Sequence, residues 1–232
     1  MKTAIFLPGL GCDQRLFTHQ IKALKDNLNT KVIVCHTSDN MHGHIQHVLN
    51  HSPEQFVLIG HSFGGWVAQW IAIHAPERVS ELILIGTGTG ELTPTLRNIF
   101  TEMLHFFKNN KASEFLDKIR PATVYEKKAN DSKLIDIIKI MQNEFPQNGL
   151  INQAKTDLEG MNTIKKLKQI QCPTLLIHGK HDPFYKKDMG ILKKNIQKNT
   201  YVEIDQCGHM IPMEKPEIIS ALIRDWLSCH IT

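Results

Sequence analysis

"VLIGHSFGGWVAQWIAIHAP", Val57 to Pro76, decides how this chain is read. An apolar run ends in Gly60, the polar pair His61-Ser62 follows, and an apolar, helix-like segment continues from Trp66. The spacing Gly60, Ser62, Gly64 has little weight alone. Its setting supplies the weight: a buried strand turning sharply into a helix puts the serine at the turn, and flanking glycines let strand and helix approach. The free N–H groups and positive dipole end of that helix then lie beside the hydroxyl, which suits an oxyanion.

Working outward, strand-like apolar runs recur at 3–9, 31–37, 55–60, 81–88, 172–179 and 200–206. Most are continuously apolar rather than alternating, as strands covered on both faces must be. Helical spacing fills the gaps. Leu16, Phe17, Ile21, Leu24 and Leu28 follow Asp13 as N-cap, Ile45, Val48 and Leu49 mark a second helix, and Pro216 opens the last one. Strands alternating with helices predict an α/β fold with a mostly parallel, doubly wound sheet of about six strands. Between 89 and 171 no strand-like run occurs, while Leu96, Phe100, Met103 and Phe107, and then Leu134, Ile138 and Met141, recur at helical spacing. This segment reads as a helical lid inserted into a core made of 1–88 and 172–232.

A serine becomes a nucleophile only when a base takes its proton, so a histidine and an acid are needed on loops at the same sheet edge. Of 13 histidines, His209 in "DQCGHMIPMEKP" follows a strand end and would project over that edge. Asp182 in "HGKHDPF" follows another. The order serine, acid, histidine is that of the nucleophile-elbow fold. Asp205 is the rival acid, four residues before His209 and expected on the strand. His61 reads as a packing or supporting residue rather than a second base. His44, His47 and His51 share one side of a helix, a spacing that could ligate a metal, but no carboxylate accompanies them and a solvated polar face is the expectation.

Composition sets the outer limits. The 232 residues are 41% hydrophobic and 22% charged with a formal net charge of +4, which fits a globular protein without the clustered basic stripe of a nucleic-acid surface. Five scattered cysteines without CxxC spacing suggest neither a disulfide framework nor a zinc site. With no signal-peptide pattern and no apolar run near the ~20 residues that span a bilayer, a soluble cytoplasmic protein is expected.

The elbow, the post-elbow strand "HAPERVSELILIGTG" (74–88), the acid loop "IQCPTLLIHGKHDPF" (170–184) and the histidine loop "CGHMIPMEKPE" (207–217) together resemble the α/β-hydrolase superfamily, in the expected order. The resemblance implies Ser62 as nucleophile, Asp182 as acid and His209 as base. It also implies an oxyanion hole from the backbone N–H groups of Phe63 and of Leu10 in "LPGLG", where Pro8-Gly9 replaces the His-Gly of many members. A serine at the elbow argues against the dehalogenase and epoxide hydrolase branches, which use aspartate there.

The expected activity is hydrolysis of carboxylic esters or thioesters of short to medium acyl chains through an acyl-enzyme, without cofactor or metal. The expected partner is a small-molecule ester, free or carrier-bound, met by a monomer or homodimer with no nucleic acid or membrane involved. Size and lid resemble bacterial carboxylesterases, including the methyl esterase that unmasks the pimeloyl carrier-protein ester in biotin synthesis. Carbon-carbon bond hydrolases share the triad, and small-molecule receptors on the same scaffold are a further alternative. Residues 89–171 hold 13 Lys plus Arg against 10 Asp plus Glu, so Lys127 and Lys128 read as solvated charge rather than a strong carrier-binding patch. Met103, Phe106, Phe107, Phe115, Met141 and Phe145 are the lid residues expected to cover the serine.

Overall fold

The computed structural model describes residues 1–230. Six strands, β1 (Thr3–Leu7), β2 (Asn29–Val32), β3 (Phe56–His61), β4 (Val79–Ile85), β5 (Thr174–Gly179) and β6 (Asn199–Ile204), form one sheet in the order β2-β1-β3-β4-β5-β6. Every pairing is parallel. The two-residue period of the strands sorts their side chains onto two cores. Ala4, Phe6, Val57, Ile59, Ile83, Ile85, Leu175 and Ile177 face one way. Ile5, Leu7, Phe56, Leu58, Leu82, Leu84 and Leu176 face the other.

Helices cover both faces. α1 (Thr18–Leu24) and α10 (Pro216–Ser228) pack on the first core through Leu24, Ile219 and Ile223, with the short α9 (Ile211–Glu214) leading into α10. α2 (Met41–Asn50), α3 (Phe63–His74) and α8 (Lys186–Asn195) pack on the second through Ile45, Val48, Val67, Ile71, Met189 and Leu192. Removing each such side chain from water contributes about 1.5–3 kcal/mol, which explains why continuous apolar runs mark this sheet. From β1 the chain crosses first to β2 and then back to β3, so the loops after β1 and β3 flank the point where strand order reverses. Open α/β sheets bind ligands there.

Four helices stand between β4 and β5: α4 (Pro94–Lys108), α5 (Ala112–Thr123), α6 (Ser132–Asn143) and α7 (Gln147–Glu159). Met103, Phe107, Phe115, Leu116, Phe145, Leu150 and Ala154 form a core of their own. The expected strand at 31–37 is corrected to Asn29–Val32. Ile33 N–H still reaches Phe6 O at 3.0 Å, but β1 then runs into Pro8, so this edge ladder stops although Cys35 remains buried. No described helix is long and apolar enough to cross a membrane.

Candidate active site

The turn between β3 and α3 is strained. Ser62 sits at φ 52°, ψ −120°, a region that side-chain-bearing residues rarely occupy and that persists only when neighbours over-determine it. They do so here: Ser62 N–H donates to Ile85 O at 3.0 Å, while Ser62 O accepts from Trp66 N–H at 3.1 Å and from the Thr87 hydroxyl at 2.7 Å. Gly64 is required by close approach, since a Cβ there would stand 2.1 Å from Leu7 O.

The strained turn points the Ser62 hydroxyl at His209. Ser62 Oγ lies 3.0 Å from His209 Nε2, and His209 Nδ1 lies 2.8 Å from Asp182 Oδ2. With Nδ1–H donating to the carboxylate, Nε2 is left as the acceptor for the serine proton. Burial acts to raise the Asp182 carboxyl, but the charge and hydrogen bond of His209, with Phe184 N–H donating to Oδ1 at 2.8 Å, outweigh it and hold Asp182 below the usual carboxylate range. Asp205 lies one residue past β6, exposed and 3.1 Å from Lys180, and takes no part in this chain of bonds.

His209 is also fixed through its backbone. His61 Nε2–H donates to His209 O at 2.9 Å. Burial first, then the charge of His209, pushes the His61 imidazole down to about 3, so His61 stays neutral and supports the loop. His209 N–H and Met210 N–H both donate to Thr123 O at 2.9 Å. Glu214 accepts from Gly208 N–H at 3.1 Å and from Tyr125 N–H at 2.8 Å. Its carboxyl is raised by burial despite those bonds. The histidine loop is therefore clamped to the end of α5 and to the segment that follows it.

Phe63, the first residue of α3, carries one of the helix's unsatisfied N–H groups. The loop with Leu10 lies against the elbow: a Cβ on Gly9 would come within 3.1 Å of Ser62 Cβ. Gln153 of α7 fixes this loop, accepting from Gly11 N–H at 3.0 Å and donating to Cys35 O at 2.8 Å. Gly9 of this loop and Phe63 thus approach Ser62 from two elements, the kind of arrangement an oxyanion site uses.

Beside Ser62 opens a cavity of about 60 Å³ walled by Phe63, Trp66, Leu96, Phe100, Phe184 and Tyr185. The expected covering residues are corrected. Met103, Phe107, Phe115 and Phe145 fill the insertion's own core with Phe106 packed against it, and Met141 joins the main core. α4 instead turns Leu96 and Phe100 toward the serine, because one helix presents neighbouring stripes to two different partners. Lys128 is corrected as well: its ammonium donates to Glu214 O.

The histidine row on α2 is not a shared solvated face. His44 is fully buried, its Nε2 3.1 Å from Thr156 Oγ1, and burial pushes it down to about 4. The His47 and His51 rings lie 4.5 Å apart. Among the described residues no three metal-binding side chains converge. Sequence reasoning missed Gln153 and Glu214, buried polar residues whose role only a known packing partner reveals.

The sequence profile described as the alpha/beta hydrolase fold matches residues 37–216. An uncharacterised hydrolase, YugF, of Bacillus subtilis (strain 168) is 29% identical over 199 residues, 78% of this chain and 68% of that protein. A 2-hydroxy-6-oxononadienedioate/2-hydroxy-6-oxononatrienedioate hydrolase of Pseudomonas putida is 26% identical over 180 residues, 75% of this chain and 63% of that protein. In three dimensions the chain is similar to a thermophilic esterase from Thermogutta terrifontis, with TM-score 0.91, 23% identity, and coverage of 100% of this chain and 91% of the other.

Proposed function

The chain belongs to the alpha/beta hydrolase fold family, and on that premise we propose that it is a serine esterase acting on small carboxylic esters or thioesters through an acyl-enzyme. The observation that carries this reading is the unbroken line from Ser62 Oγ to His209 Nε2 at 3.0 Å and from His209 Nδ1 to Asp182 Oδ2 at 2.8 Å. Ser62 Oγ attacks the ester carbonyl carbon as its proton passes to His209 Nε2. The oxyanion is held by the N–H groups of Phe63 and Leu10. Collapse breaks the bond to the alcohol, which leaves with the proton from His209. Water, deprotonated by the same nitrogen, then cleaves the acyl-enzyme, so ester plus water yields acid plus alcohol.

The cavity favours this substrate class over a carbon-carbon bond hydrolase reading. The Pseudomonas putida relative is named for a dioate, a substrate with two carboxylates. Here Glu91, Asp157 and Asp188 line the cavity and neither Lys nor Arg does, so no cationic side chain in its lining would offset the two charges of a dianion. The volume of about 60 Å³ has room for roughly four to six water-sized groups, which supports short acyl chains. A fluorophosphonate probe is expected to label only the Ser62 peptide, and Ser62→Ala to abolish hydrolysis of p-nitrophenyl acetate. Turnover surviving in Ser62→Ala refutes the assignment.

A further inference from the structure

We propose that Asp157 is the specificity group of the cavity beside Ser62 and that it selects esters carrying a protonated amine on the part lodged there. The inference rests on the esterase reading above. Three carboxyl groups line the cavity, and two are already engaged. Asp188 Oδ1 accepts from Thr89 N–H at 2.8 Å and from the Thr89 hydroxyl at 2.7 Å. Glu91 pairs with Lys187 at 3.2 Å. The Asp157 carboxyl makes no hydrogen bond or ion pair with another described residue, and burial alone pushes it up to about 8. An acid in that condition is held protonated near neutral pH, and a cationic substrate beside it supplies the counter-charge that lets it ionise.

Three further features fit an ammonium group. Beside Leu92 and Leu96, five aromatic residues line the cavity, Phe63, Trp66, Phe100, Phe184 and Tyr185, a side-chain type that attracts cations. The Asp157 backbone is held on a fixed element, because its neighbour Thr156 meets His44 at 3.1 Å and Glu159 accepts Met41 N–H at 2.8 Å, pinning α7 to α2. The cavity volume of about 60 Å³ suits a chain of a few heavy atoms, so the cation must be small and close to the carbonyl.

The test uses one skeleton with four end groups. Ethyl esters of β-alanine, butyric acid, 3-hydroxypropanoic acid and the monoethyl ester of succinic acid present ammonium, methyl, hydroxyl and carboxylate, and each rate is divided by the ester's own alkaline hydrolysis rate. The wild type is expected to favour the β-alanine ester over ethyl butyrate at least about tenfold in kcat/KM, or 1.4 kcal/mol. Asp157→Asn is expected to remove most of that ratio, and because both esters are read in one preparation, partial misfolding cancels. Equal rates for ammonium and methyl, a ratio unchanged in Asp157→Asn, or preference for the hydroxyl or carboxylate ester overturns the proposal while leaving the esterase reading intact. Failure to hydrolyse all four esters and p-nitrophenyl acetate, with Ser62 unlabelled by fluorophosphonate, overturns the esterase reading and this proposal with it.

Discussion

At the scale of single residues, the site works by restricting choices that side chains otherwise have. His209 has two ring nitrogens, and the 2.8 Å contact of Nδ1 with Asp182 decides which carries the proton. Replacing the carboxylate by an amide lets an N–H face Nδ1 and reverses the tautomer, leaving Nε2 protonated and unable to accept from Ser62. Asp182→Asn is therefore expected to keep the fold and lower kcat by roughly 10⁴, the scale for a triad aspartate converted to its amide. Steady-state kinetics beside circular dichroism check both halves. A drop below tenfold would remove Asp182 from the mechanism and return attention to other acids.

At the scale of elements, the helical insertion does more than cover the sheet. Gln153 of α7 fixes the loop carrying Leu10, and Glu214, just before α10, joins Gly208 to Tyr125. The buried Glu214 carboxyl has a folded-state value raised above 4.5. Its folded form therefore binds the proton more tightly than the unfolded chain does. The associated stability is fully present below pH 4.5 and is lost as pH rises through the raised value. Glu214→Gln keeps an oxygen for the two N–H groups and has no charge to bury. Its stability relative to wild type is thus expected to improve as pH rises from 4 toward 7, read from urea midpoints at each pH. A constant difference across that window refutes this account. Asp182, held low, gives the opposite trend in both proteins and cancels in the comparison.

At the scale of the whole molecule, the insertion core and the sheet meet at the site. Leu10 and Val34 of the sheet side pack against the cluster built around Phe107 and Phe115. Phe107 is fully buried, so Phe107→Ala is expected to cost about 3–5 kcal/mol through lost burial and a residual cavity. Because the same contacts border the Leu10 loop, hydrolase activity and helical signal are expected to disappear at the same urea concentration in this variant. Activity lost well before helicity would mean that the insertion opens independently of the sheet.

The sequence by itself determined whatever depends on neighbours along the chain. Continuous apolar runs such as "FVLIG" announced a strand covered on both faces, and Gly60 and Gly64 announced a turn that only small residues permit. Asp182 and His209 were legible because each follows a strand end, and in a parallel sheet all such ends lie on one edge. Tertiary structure alone decided the rest. Periodicity marked α4 as amphipathic, yet it could not say that Leu96 and Phe100 face the serine while Met103 and Phe107 face other helices. Gln153 and Glu214 carried no signal in the sequence; packing against distant segments buried them. Their roles arise from contacts over long sequence separations, such as Gly11 with Gln153, and no local pattern encodes which polar side chain will meet which orphaned backbone group.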